Sequence, residues 1–252
     1  MTLRAIKSRE AIKRFYDDPE VVERYLERRT AQPLGSVLHR RQIEFLNDTI
    51  ARQRVRRVLD LAPGPARLGA ELETPPVAIA LDFSWNMLAE ARRRTRARGK
   101  AWQLVQGDGY QLPFGAGTFD LVYSLRFVRR FERPERNRLY GEIQRVLRTD
   151  GLFVMDAQNR AVALPHRISR GLEKYPVYDE LFERAELIQE LRDNGFAVIQ
   201  LEGIMRRFDL QSRLNRLRRF GLSGPARVLI RMLEWAGDEN PSTWMVLCRK
   251  SG

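Results

Sequence analysis

Three carboxylates, Asp60, Asp82 and Asp108, each stand at or near the end of an apolar run. The runs are VLDL within VLDLAPGPARLG (residues 58–69), VAIALDF (77–83) and WQLVQGD (102–108). Helix-like stretches separate them, so the pattern describes parallel strands that deliver acidic groups to one edge of a sheet. In open α/β sheets the carboxyl edge of the strands is where ligands bind. Gly64, in the turn after the first run, lets backbone approach a ligand where a side chain would collide. Hydrogen-bond acceptors beside a small-residue turn suit a nucleotide-like cofactor.

The elements that must position these groups follow from periodicity. Asp18-Pro19-Glu20 opens a helix, with an acceptor side chain followed by proline in the first turn. Val22, Tyr25 and Leu26 share one face of it, and a second helix is predicted from Ser36 to Gln53. These make residues 1–55 a helical cap over the sheet edge. Residues 56–252 form the second unit, with strands predicted at 58–61, 77–83, 102–106, 119–125, 152–157, 196–204 and 243–249. Helices are predicted around 66–72 and over 86–99, 138–151 and 183–196. The alternation gives a doubly wound, Rossmann-like seven-stranded sheet whose last strand is antiparallel. A helical insert of about 205–240 precedes that strand.

Composition narrows the class. The 252 residues, 43% hydrophobic and 31% charged, suit a soluble globular chain. No apolar run approaches the roughly 20 residues of a membrane span. The first residues, MTLRAIKSREAIKRFYDD, carry charges where a signal peptide needs an apolar stretch. A cytoplasmic protein without a transmembrane segment is expected. One cysteine, Cys248, excludes an intrachain disulfide and a cysteine-cluster metal site, and no metal is expected. The net charge of +13 invites an anionic partner, yet only five of the 45 basic residues are lysine. That ratio suits a general arginine preference as well as selection for a polyanion.

The span 58–157 resembles the core of class I S-adenosylmethionine-dependent methyltransferases, particularly the small-molecule branch called type 11. The resemblance rests on five motifs in order. They are Asp60-Leu61-Ala62-Pro63-Gly64-Pro65-Ala66; Asp82 within LDFSWNML; Gly107-Asp108 ahead of Leu112-Pro113-Phe114; Phe119-Asp120; and Glu142, Arg145-Val146-Leu147 and Gly151. The resemblance implies S-adenosylmethionine as cofactor, held by Asp60, Ala62, Gly64, Asp82, Phe83, Met87, Asp108 and Gly109. Asp60 would anchor the loop or reach the cofactor's amino group, and Asp82 would accept from both ribose hydroxyls. Asp108 would accept from the adenine amino group, between apolar walls from Phe83 and Met87. Tyr25 resembles a cap tyrosine that packs near the cofactor in some relatives.

Alanine replaces glycine at the first and third loop positions. At Ala62 the change is expected to be small, since that position need not take a positive φ. At Ala66 it conflicts with close helix–strand packing or a left-handed backbone.

Methyl transfer needs placement more than functional groups, so no catalytic residue is assigned. Arg126 and Arg130 can bind an anionic acceptor, His166 is the better base candidate, and His39 is weaker. In the insert, Leu210, Leu214, Leu217 and Phe220, then Val228, Leu229, Met232, Leu233 and Trp235, form apolar faces among arginines. Such a segment is a helical pair packed on the domain, a lid over an apolar acceptor, or a basic element resting on an anionic membrane surface. The expected partner is a small or lipid-like acceptor. Nucleic acid is disfavoured because no separate RNA-binding module is present. Two other readings stay open: a non-catalytic cofactor-binding scaffold, from the altered loop, and an RNA methyltransferase, from the arginine content.

Overall fold

The structure is a computed structural model that describes residues 6–30, 32–235 and 240–251, without the side chains of 26–30. Leu26 of the expected apolar face, and parts of both the cap (1–55) and the insert (205–240), therefore lie outside the described residues.

Seven strands form one sheet in the order β3-β2-β1-β4-β5-β8-β7. They are β1 (Arg57–Leu61), β2 (Val77–Asp82), β3 (Gln103–Gln106), β4 (Phe119–Ser124), β5 (Leu147–Asn159), β7 (Phe196–Ile204) and β8 (Thr243–Lys250). A two-residue strand, β6 (Leu181–Phe182), runs parallel beside the end of β5. Strands β1 to β5 pair in parallel, whereas β8 is antiparallel to both β5 and β7. The doubly wound sheet with an antiparallel last strand is thus as the alternation predicts.

Side-chain alternation along the strands builds two core layers. On β1, Leu59 and Leu61 join Tyr140, Ile143 and Val146 of α5 (Arg133–Val146) and Leu187 and Leu191 of α7 (Arg184–Asp193). Val58 faces the other way, onto Phe45, Leu46 and Ile50 of α3 (Pro33–Arg52). Helices α1 (Arg9–Asp17), α2 (Pro19–Thr30) and α4 (Trp85–Ala97) lie nearer the strand ends. Strand order reverses between β2 and β4 on either side of β1, which opens a crevice at their carboxyl ends.

Three local expectations are corrected. Residues 64–71 form successive turns instead of a helix, because Gly64 and Ala66 both take positive φ, and such residues interrupt a right-handed helix. Strand β5 begins at Leu147, so residues 147–151 belong to a strand and not to the end of the helix expected over 138–151. Asp150 takes φ +57° there, and the pairing with β4 shifts register. His166 lies on α6 (Arg160–Arg170), which the expected helices do not include; Pro165 inside that helix hides it from periodicity.

Between β7 and β8, where the insert is expected, the described residues form α8 (Phe208–Leu214), a 3-10 stretch (Asn215–Phe220) and α9 (Ser223–Trp235). Helix α9 buries Ala226, Ile230 and Glu234, one turn apart, and exposes Val228, Leu229, Met232 and Trp235. Glu234 sets this orientation. Its carboxylate accepts from the Met205 and Arg206 backbone N–H groups at 2.9 and 3.0 Å and from Gln211 Nε2 at 2.8 Å.

Candidate active site

The turn after β1 is held against β2. Ala62 N donates to the Leu81 carbonyl at 2.8 Å, and Gly64 N donates to Asp82 Oδ2 at 2.9 Å. Ala62, Gly64 and Ala66 take φ of +63°, +56° and +49°. Ala62 was expected to avoid the left-handed region. It does not, because its N–H must turn towards β2 while the chain reverses. A non-glycine residue there costs about 1–2 kcal/mol. Ala62→Gly should therefore stabilise the protein by about 1 kcal/mol, offset slightly by the added freedom of the unfolded chain. Denaturant titration checks this, and a variant less stable than wild type would show that the turn is not strained.

Asp82 accepts from Gly64 and from Ser84 N at 3.0 Å, and Ser84 Oγ caps α4 by accepting from Met87 N at 3.0 Å. Burial pushes the Asp82 carboxyl up to about 6, although the Ser84 and Gly64 N–H groups resist the shift. Asp60 is buried below the cavity and accepts from the Tyr123 hydroxyl at 2.7 Å. Burial pushes it up to about 7, against the Tyr123 hydrogen bond, with the Asp82 charge adding to the rise.

The remaining predicted residues, Ala62, Gly64, Asp82, Phe83, Met87, Asp108 and Gly109, line one cavity over the strand ends. Asp60 is the exception and does not reach its wall. A Cβ on Gly64 would stand 3.8 Å from Met87 Sδ and 4.0 Å from Tyr25 Cζ, both cavity walls, so the missing side chain leaves ligand space. A Cβ on Gly107 would come within 2.8 Å of Leu81, which fixes glycine ahead of Asp108. Glu142 holds the next loop by accepting from Leu112 N at 2.7 Å, and Arg145 donates to the Leu112 and Phe114 carbonyls at 2.9 and 2.7 Å.

Sequence reasoning missed the role of α1. Arg9 pairs with Asp108, Lys13 Nζ lies 3.0 Å from the same carboxylate, and Lys13 sits 4.0 Å above the Phe83 ring. Burial raises the Asp108 carboxyl, but the Tyr110 N–H, Lys13 and Arg9 outweigh it and hold the group below its ordinary range. Arg9, Ile12, Lys13 and Tyr16 all line the cavity at helical spacing, which is the signal that could have found them. Asp17 fastens α1 in place, accepting from Ser84 Oγ at 2.6 Å, while its carbonyl accepts from Asn86 Nδ2 at 2.8 Å.

A second cavity adjoins the first and shares Tyr16, Tyr25, Arg126 and Arg130 with it. Asp179 accepts from Arg129 Nη1 at 2.6 and 2.7 Å and from Arg167, and Arg130 Nη1 lies 3.5 Å away. A third cavity shares Arg126, Gln158, Arg167, Lys174 and Tyr175 with the second and contains His166. His166 meets Phe208 edge-on at 4.8 Å between centroids. Burial and then Arg170 lower its pKa, which leaves the imidazole neutral near pH 7. It lines neither the first nor the second cavity. His39 is remote: its Nδ1 accepts from Arg67 at 2.7 Å and its Nε2 meets Glu71 at 3.2 Å, a structural pairing.

The sheet order, the crevice at the strand ends and the acid-bearing turns define the class I S-adenosylmethionine-dependent methyltransferase fold. Residues 58–151 match the family model described as a methyltransferase domain. Over 103 residues it is 39% identical to demethylmenaquinone methyltransferase of Thermus thermophilus, covering 40% of this chain and 46% of that protein. Over 102 residues it is 34% identical to malonyl-[acyl-carrier protein] O-methyltransferase of Legionella pneumophila, covering 39% and 35%. The chain thus matches less than half the length of these relatives. Magnesium protoporphyrin IX methyltransferase of Synechocystis PCC 6803, solved with bound SAH, superposes with a TM-score of 0.66 at 12% identity. That match covers 97% of this chain and 100% of the other, and it is a likeness of fold.

Proposed function

We propose that this protein transfers a methyl group from S-adenosylmethionine to a small or lipid-like acceptor. The observation that carries the reading is the convergence of Gly64, Asp82, Phe83, Met87 and Asp108 on one cavity beside the topological switch point. When bound, the cofactor supplies an electrophilic methyl group on a sulfonium. Asp82 would hold the ribose hydroxyls, Asp108 the adenine amino group, and Gly64 and Gly109 would let the backbone close around them. Asp60 would act from beneath, fixing β1 to β4 through Tyr123. For the ring to stack on Phe83, Lys13 must leave that face, so cofactor entry trades the Asp108 ion pairs for a stacked ring. Tyr16 and Tyr25 would then shield the transfer from water, which favours in-line displacement.

The acceptor would approach from the Arg126 side, where the second and third cavities lead outward under the insert. The relatives named for demethylmenaquinone and malonyl-[acyl-carrier protein] make a lipid-like body the natural expectation. Among the described residues no helix is long and apolar enough to cross a membrane. The insert instead exposes Phe220 (78%), Met232 (63%) and Trp235 (82%) among exposed Arg213, Arg216, Arg218, Arg219, Arg227 and Arg231. We assign this face to an anionic membrane surface on the cytoplasmic side, from which the acceptor enters.

Incubating the protein with methyl-labelled S-adenosylmethionine and a lipid-containing metabolite extract should yield a labelled product identifiable by mass. If S-adenosylhomocysteine binds but no product of any acceptor is labelled, the strained Ala62–Ala66 loop favours the scaffold reading instead.

A further inference from the structure

Among the described residues, the second cavity is lined by more cationic than anionic side chains. Buried charges are stable only when paired, and three guanidinium groups, from Arg129, Arg130 and Arg167, converge on the one carboxylate of Asp179. Arg129 Nε also lies 3.5 Å from Asp156 Oδ2, so two nearly buried carboxylates face the three guanidinium groups. Lys174 adds further positive charge along the wall, and among the described residues Asp179 is the only carboxylate lining it. Burial is the main cause that depresses the Arg167 pKa, with smaller contributions from Arg129 and Arg130 and against the pull of Asp179 in contact. The cavity measures about 270 Å³ and is walled on the other sides by Phe15, Tyr16, Tyr25 and Tyr175.

We propose that this cavity anchors the acceptor by a carboxylate or phosphate group, gripped by Arg126, Arg130 and Arg167 beside the cofactor cavity. The inference rests on the methyltransferase reading and names the acceptor's chemistry. Guanidinium forks suit such anions because two N–H donors meet two oxygens at once. Asp179 does not serve as a base there: burial favours its neutral form, but Arg129, Arg130 and Arg167 overcome this and keep it ionised to low pH. The anchored acceptor therefore presents a nucleophile that needs no proton removed by Asp179.

The test uses the full chain saturated with S-adenosylhomocysteine, titrated calorimetrically with octanoate, octyl phosphate, octanol and octylamine at constant ionic strength. At least one of the two anions should bind about tenfold or more tightly than the alcohol and the amine. Preference for octanoate or for octyl phosphate separates the carboxylate from the phosphate source. Arg130→Met and Arg167→Met should each weaken the preferred anion about tenfold or more, and Arg167→Met, outside the cofactor cavity, should leave S-adenosylhomocysteine affinity unchanged. Lys174→Met, on an exposed residue, gives the same reading if either of those variants fails to fold, and Arg93→Met on α4 should have no effect. Equal binding of octanol and the anions, or anion binding that none of the cavity variants moves, overturns the inference. Failure of the wild type to bind S-adenosylhomocysteine would overturn the underlying methyltransferase reading instead.

Discussion

Asp82→Ala should weaken S-adenosylmethionine binding by about ten- to a hundredfold in calorimetry. Hydrogen bonds to a charged acceptor contribute about 1.5–3 kcal/mol, and that range corresponds to this loss of affinity. Alanine also strips acceptors from the Gly64 and Ser84 N–H groups, which are held at 2.9 and 3.0 Å. Asp82→Asn therefore serves as the companion variant, since it keeps an amide oxygen for one of them while removing the charge. Both should lose cofactor affinity, with alanine losing more stability. The wild type should show the same dependence through pH. Burial lifts the Asp82 carboxyl to about 6, and only its ionised form accepts freely on both oxygens. Protonation competes with the cofactor, so affinity should hold above pH 7 and fall as pH drops through 6, by up to about tenfold per unit. Asp82→Asn should flatten that profile. Wild-type affinity in a folded Asp82→Ala protein would remove this carboxylate from the cofactor site.

Replacing Phe220, Met232 and Trp235 together by serine should abolish binding to anionic vesicles, a loss of about a hundredfold or more. The three side chains are 78%, 63% and 82% exposed, so the fold loses little when they are truncated. A membrane would gain about 1.5–3 kcal/mol from each one fully buried. Vesicles of phosphatidylglycerol mixed with phosphatidylcholine should bind the wild type, and pure phosphatidylcholine should bind it weakly. Added salt should weaken the interaction by screening the arginines around the patch. S-adenosylhomocysteine affinity should be untouched by the triple substitution. Vesicle binding that survives it, or that ignores both lipid charge and salt, would assign the patch another role.

Sequence patterning alone determined the alternating strands and the acids that close them, because period-2 runs and turn residues act locally. It also supplied the order of the motifs that carry the family resemblance. Other features depend on residues far apart in the chain, and only the tertiary structure decided them. Ala62 takes a positive φ because Leu81 on the neighbouring strand accepts its N–H. Lys13 and Arg9 reach Asp108 because Asp17 fastens α1 to the start of α4. The arginines after β4 become a cluster only when α6 and the segment after it bring Arg167 and Asp179 beside them. Helix α9 turns its apolar side outward, against the usual rule of amphipathic packing, because buried Glu234 must face the donors of Met205, Arg206 and Gln211. Local periodicity records how much apolar surface a segment has. Which way that surface points is set by the polar groups that burial obliges the fold to satisfy.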